Sequence, residues 1–210
     1  TGRSIKASAN HPFLKLEGWT RLDALKEGDR VGMPRSLNLT FKTFPLQNEE
    51  LSLLGHLLGD GCILPNQPYH YTSADEENIE TVSKASASLF GIKSRIIKQK
   101  NWYHVYLPSP TRMTHGKYHP ITNWFEKLGI DRVRSYEKRV PPAVFTCQKE
   151  HISLFLRHLW ATDGNLSIKK LKGRKDAGAI YFASSSSKLC EQTQHLLLRL
   201  GIQSKLSTVP

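Results

Sequence analysis

The chain is poor in the features that staple, anchor or acidify a small protein. It has three cysteines, Cys62, Cys147 and Cys190, widely spaced and never in a Cys-x-x-Cys pair. That spacing indicates neither a disulfide framework nor a zinc site, and suits a reducing cytoplasm. No apolar run reaches the roughly 18 residues required of a transmembrane helix, and no signal peptide is recognisable, so no membrane partner is expected. Acids are scarce as well: 18 Asp and Glu stand against 30 Lys and Arg, a formal net charge of +12. An imbalance of that size points to a polyanionic partner.

Against these absences stands a nine-residue pattern that occurs twice. Residues 53–61 read LLGHLLGDG and residues 156–164 read LRHLWATDG. Each follows leucine-rich, helix-like sequence and ends in Asp-Gly, with the Gly read as a helix stop. Burial disfavours a carboxylate at a helix end, so Asp60 and Asp163 are costly there. Two such acids at matching positions predict a pseudo-twofold site for a divalent cation. Oxygen ligands suit Mg²⁺, and paired carboxylates suit phosphodiester cleavage.

The two copies extend beyond the pattern. Residues from Tyr71 to Ile92 align with Tyr181 to Ile202 at an offset of about 110 residues, which reads as an internal duplication. Each half predicts a short strand, a polar N-cap cluster, an amphipathic helix and a Gly-Ile step opening another strand. In the first half, strands at Ser94–Lys98 and Trp102–Leu107 and a helix at Ile121–Leu128, closed by Gly129, complete the order helix, two strands, helix, two strands, helix. The second half breaks off at its third strand. The class is therefore α+β.

The two motifs resemble those of LAGLIDADG homing endonucleases, in the two-repeat (DOD-type) form carried inside inteins. The family's nine positions fall on Leu53–Gly61 and on Leu156–Gly164, and its eighth-position acid falls on Asp60 and Asp163. Lys138-Arg139-Val140-Pro141 resembles the family's Lys-x-Ile/Val-Pro segment, about one helix-length before the second motif. The resemblance implies an αββαββα repeat, truncated in its second copy, a Mg²⁺ cofactor at Asp60 and Asp163, and a Lys138 that activates water or stabilises charge. The third and seventh motif positions are usually small. Gly55 and Gly59 keep this, whereas His158 and Thr162 do not, so close packing is expected from one side only. His56 and His158, inside the motif helices, are read as packing or polar contacts, since Mg²⁺ prefers oxygen.

The N-terminus carries a second resemblance. GRSIKASANHPFL at residues 2–14, then Gly18-Trp19 and Leu25–Val31, is similar to the second conserved block of an intein splicing domain, closest in wording to inteins of replicative DNA helicases. Ser8 and His11 match its Thr-x-x-His. The resemblance implies that they support the acyl shift at the N-terminal junction, where an attacked amide needs a proton donor and a polarising group. The chain opens with Thr and ends in Ser-Thr-Val-Pro, without the residues that begin and close such an element, so it is expected to be an internal fragment that does not splice alone. The expected layout is a partial all-β Hint segment at 1–36, a linker at 37–49, repeat one at 50–147 and repeat two at 148–210.

Double-stranded DNA is the expected partner, together with the host exteins of a replicative helicase. Lys93, Arg95, Lys98 and Lys100 fall on or beside strands with Trp102, Tyr103 and Tyr106 nearby, and a two-stranded ribbon fits the major groove. Lys169, Lys170, Lys172, Arg174 and Lys175 read as a phosphate-contacting hairpin tip, and Arg132, Arg134, Lys138 and Arg139 form a further basic group. Two other classes stay open: a DNA-binding relic that no longer cuts, and a maturase-like RNA-binding protein.

Overall fold

A computed structural model describes residues 2–37, 46–170, 173 and 175–209. The chain opens with a small hairpin, β1 (Pro12–Lys15) and β2 (Gly18–Arg21), followed by a 3-10 turn. Among the described residues, none before Leu46 adds a side chain to the hydrophobic core, which runs from Leu46 to Leu196. They do touch the far end of the chain. Arg3 donates to the Gln194 carbonyl, and Gln203 donates to the Pro34 carbonyl at 2.9 Å.

The central helix is α1 (Asn48–Leu58). Gln47 and Glu50 cap its start reciprocally, the Gln47 N–H donating to Glu50 Oε2 at 2.8 Å. Leu51, Leu53, Leu54, Leu57 and Leu58 are all buried, so apolar groups surround this helix on most sides. Burying each contributes roughly 1.5–3 kcal/mol relative to exposure. Next come β3 (Gly61–Cys62), β4 (His70–Ser73), α2 (Glu76–Phe90), β5 (Arg95–Lys98), β6 (Tyr103–Tyr106) and α3 (Pro120–Leu128). The four strands form one antiparallel sheet in the order β3-β4-β6-β5. Its inner face places Tyr71 and Val105 in the core. Helix limits follow local chemistry: Asp75 caps α2, Pro120 opens α3, and the left-handed Gly91 and Gly129 close them.

A short α4 (Pro142–Phe145) leads to α5 (Lys149–Asp163), the hairpin β7 (Gly164–Lys169) with β8 (Ala177–Phe182), and α6 (Ser187–Arg199). The α1–α5 contact is the most extensive between helices. Both halves therefore share one core.

The observed order helix, two strands, helix, two strands, helix matches expectation for the first half. Two details of the second half differ. Among the described residues no strand follows Gly201-Ile202, where one was expected. The residue opposite the motif glycine is Tyr71 in one half but Phe182, not Tyr181, in the other. Strand faces alternate with period two, so this one-residue step puts Phe182 against the core and leaves Tyr181 outside. No helix among the described residues is long and apolar enough to cross a membrane.

Candidate active site

The two motif helices cross at backbone distance. A Cβ added to Gly55 would stand 2.8 Å from the Cβ of His158, and one added to Gly59 would collide with Thr162. Positions three and seven of one motif thus face positions three and seven of the other, and the small residues come from α1 alone, as the sequence implies. The motif-closing glycines answer a different need from the one expected. Gly164 caps α5 with φ −84°, and Gly61 is not among the positive-φ residues, so neither is a left-handed stop. A Cβ on Gly61 would meet the Leu57 carbonyl oxygen at 2.6 Å, and one on Gly164 would strike Trp160. Space, not φ, demands glycine at both positions.

This crossing brings the ends of the two motifs together. Asp60 follows α1 by two residues, and Asp163 is the last residue of α5. Burial, then the neighbouring Asp163 charge, push the Asp60 carboxyl up to about 6, while Lys138 opposes the shift. The residue as a whole is exposed, so water screens part of that effect. Burial also raises Asp163, again against Lys138.

Lys138 reaches this point from the strap between α3 and α4. Its side chain is buried, and its ammonium donates to the carbonyls of Leu57 at 3.1 Å, Gly59 at 2.7 Å and Gly61 at 2.7 Å. All three donors of a lysine are thereby engaged, on carbonyls that the end of α1 leaves without helical partners. Burial lowers its pKa to about 8, against the pull of Asp163 and Asp60. The backbone of the strap is held as well: Ser186 Oγ, the N-cap of α6, donates to the Lys138 carbonyl at 2.6 Å, and the Val140 N–H donates to Gln192 Oε1 at 2.8 Å.

The predicted basic residues do not form one surface. Arg95 and Lys98 lie on β5 but face opposite sides, Lys93 precedes the strand, and Lys100 sits in the turn. Arg95 stacks over Tyr106 on the outer face, 5.0 Å from the ring centre; Lys98 lies over Tyr103 on the helix side. Lys170 and Lys175 are exposed near the β7–β8 tip; Lys172 and Arg174 lie outside the described residues, as does the Lys169 side chain. Arg132 turns inward to the carbonyls of Leu64 and Gln67.

Sequence reasoning missed most of the outer sheet face. His70, Thr72, His104, Tyr106 and Ile97 share it with Arg95, with His70–His104 ring centres 4.4 Å apart and His104 stacked on Tyr106 at 4.8 Å. The alternation in Tyr103-His104-Val105-Tyr106 was the available signal. Ser8 and His11 are local to the first hairpin: Ser8 Oγ donates to Asn10 Oδ1 at 2.7 Å, the His11 N–H donates to the Ser8 carbonyl, and His11 is exposed. Among the described residues, no group of three or more His, Cys, Asp or Glu gathers as a metal cluster.

Beside this geometry stands a family match: the model of the LAGLIDADG-like domain matches residues 150–209. Replicative DNA helicases are among the proteins the chain resembles. It is 45% identical to the helicase DnaB of Synechocystis, over 99% of this chain and 24% of that protein. It is 46% identical to DnaB of Rhodothermus marinus, over 99% of this chain and 22% of that protein. The RecA protein of Mycobacterium tuberculosis matches 97% of the chain at 25% identity, over 25% of its own length. The chain thus spans about a quarter of the length of the curated relatives it matches, and the matches fit an intein fragment.

Proposed function

We propose that this chain is the endonuclease-bearing part of an intein hosted by a replicative DNA helicase, and that its site cuts double-stranded DNA at a specific sequence. The observation that carries the reading is the meeting of Asp60 and Asp163 at the crossed motif helices, with Lys138 fixed beside them. The relatives support it from another side: one stretch of about 210 residues recurs, as a quarter of the length, in proteins as different as a helicase and RecA. That pattern suits an inserted element. The layout follows: a splicing segment at 1–36, a linker at 37–49, and endonuclease repeats at 50–147 and 148–210.

The two acids fit a hard divalent cation. Burial raises both carboxyls, and a positive ion held between them would relieve both; two carboxylates would leave further positions for water and phosphate, as Mg²⁺ prefers. When bound, Mg²⁺ neutralises charge on a phosphodiester and makes a bound water a better nucleophile. Asp60 and Asp163 hold the ion. Lys138 has no free proton donor, so its part is its charge and its grip on the end of α1, which fixes where Asp60 stands. The outer sheet face, with His70, His104, Tyr106 and Arg95, lies along the duplex and reads base edges. Lys93, Lys100, Lys170 and Lys175, together with Lys169, Lys172 and Arg174, meet phosphates; Lys98, on the helix side of β5, does not share the face laid on the duplex. Ser8 and His11 serve the separate splicing step, polarising and protonating the amide at the N-terminal junction.

Incubating a complete intein-bearing protein with plasmid carrying its uninterrupted host gene tests the reading. Linear product that requires Mg²⁺ and the site supports it. Binding to the site with no cutting in Mg²⁺ or Mn²⁺ identifies a DNA-binding relic instead.

A further inference from the structure

The α1–α5 crossing buries a polar chain that cleavage does not use. His56 is fully buried, and both of its ring nitrogens are occupied: Nδ1 lies 3.1 Å from Tyr71 Oη on β4, and Nε2 lies 3.1 Å from His158 Nδ1 on α5. Each contact needs one proton, and both are satisfied with the two imidazoles neutral. Burial favours that state, lowering His56 to about 4 and lowering His158 as well. Tyr71 and Asp75 face His56; Arg157 and Glu77 stand near His158. The remainder of the crossing is Gly55 and Gly59 close against the His158–Leu159 backbone and Thr162, with leucines around them; the His56–His158 contact is a side-chain hydrogen bond between the two helices that is directional along their axes.

We propose that the His56–His158 hydrogen bond is a register pin, which fixes α1 along α5 and so sets the separation of Asp60 and Asp163. The two histidines are then positioning residues for the metal pair; this rests on the reading of Asp60 and Asp163 as metal ligands. A buried polar pair adds little stability over apolar packing, but it admits one alignment where a leucine surface admits several. A slip of one turn moves a helix about 5.4 Å, more than two carboxylates sharing one ion can span.

The test removes the whole chain of contacts, in His56→Leu/His158→Leu/Tyr71→Phe, so that none of the three nitrogen or oxygen partners is left orphaned. Spin labels at the exposed Asn48 on α1 and Ser153 on α5, in a background with Cys62, Cys147 and Cys190 replaced by Ala, report the helix separation. The triple variant is expected to melt no lower than its parent, to show a broadened distance distribution and to bind Mn²⁺ at least tenfold more weakly. A distribution as narrow as the parent's overturns the pin. His158→Asn keeps a polar atom near the Nδ1 position and is expected to stay narrow, whereas His158→Ala is expected to broaden. Equal widths in those two overturn the pin even if the triple variant fails to fold. A parent that binds no Mn²⁺ overturns the metal reading, and the distances then decide the pin by themselves.

Discussion

The two motif helices carry the same acid on different supports. α1 stops at Leu58, and the Lys138 ammonium gathers the carbonyls of Leu57, Gly59 and Gly61, on both sides of Asp60. α5 runs helically to Asp163 and passes directly into β7, with the Gly164 N–H still bonded to the Trp160 carbonyl. The surroundings diverge in the same way. The first half closes a four-stranded sheet under two helices, whereas the second offers a two-stranded ribbon on which Leu166, Ile168 and Ile180 are exposed. The two motifs thus end in the same acid on different scaffolding, and the pair of acids exists only where the two helices cross.

The strongest attack on this comparison removes one acid at a time. Asp60→Asn and Asp163→Asn each keep shape and remove charge, and each is expected to lower double-strand cleavage by about 10²–10³-fold, with DNA binding largely intact. Plasmid linearisation beside gel-shift titration checks both. Nicking that survives in one variant only would show that the two acids serve separate strands.

Lys138→Met should separate the two supports. Leaving the carbonyls at the end of α1 without their buried cation is expected to cost about 3 kcal/mol, a melting temperature roughly 6–12 °C lower, together with slower cleavage. Equal affinity for DNA in parent and variant would place the whole effect at the site. Gly59→Ala, which collides with Thr162, is expected to cost about 1–3 kcal/mol; Thr162→Ala in the same chain removes Oγ1 and Cγ2 but keeps a Cβ 2.5 Å from the new methyl, so it should recover only part of that loss in a thermal melt, and Thr162→Gly more.

Acidity offers a finer probe. Because the folded pKa of Asp60 lies above its ordinary value of 3.8, the folded state binds that proton more tightly than the unfolded chain does. Without metal, this group's contribution is fully favourable below pH 4 and is lost as pH rises through about 6. Asp60→Asn should therefore melt above the parent at pH 7, and the gap should narrow as pH falls to 4. Mg²⁺ affinity of the parent should rise as pH climbs from 4 to 7, because binding must displace the proton; calorimetry at several pH values measures it. The smallest effect is expected from His11→Ala. Its bonds are local to the first hairpin, so DNA cleavage should be unchanged and stability should move by less than about 0.5 kcal/mol.

Much of the layout could be read from the sequence because local rules set it. Gly129 and the apolar spacing before it place α3 almost to the residue, and leucine on most sides of α1 announces a helix sunk in the core. Asp60 and Asp163 were visible because a motif repeats. What stayed hidden depends on partners distant in sequence. Nothing local says that Lys138 spends all its donors on another helix's end, or that Gly61 and Gly164 exist to clear Leu57 and Trp160. Charge clusters misled for a simple reason: neighbours along a strand point to opposite faces, so Arg95 and Lys98 part company. The step from Tyr181 to Phe182 likewise follows from pairing with β7, which alignment of the two copies does not contain.

The strap at residues 138–140 bears on how such proteins can be recombined. Its lysine side chain belongs to the end of α1, while its backbone belongs to α6 through Ser186 and Gln192. A chimera joined anywhere between α3 and α5 therefore inherits from one parent a segment that must fit both. Joining halves from different parents re-aims a new pair of acids only if the α1 terminus, the strap and the α6 cap travel as a matched set, which makes those three short pieces, and not the visible midpoint of the chain, the natural unit of exchange.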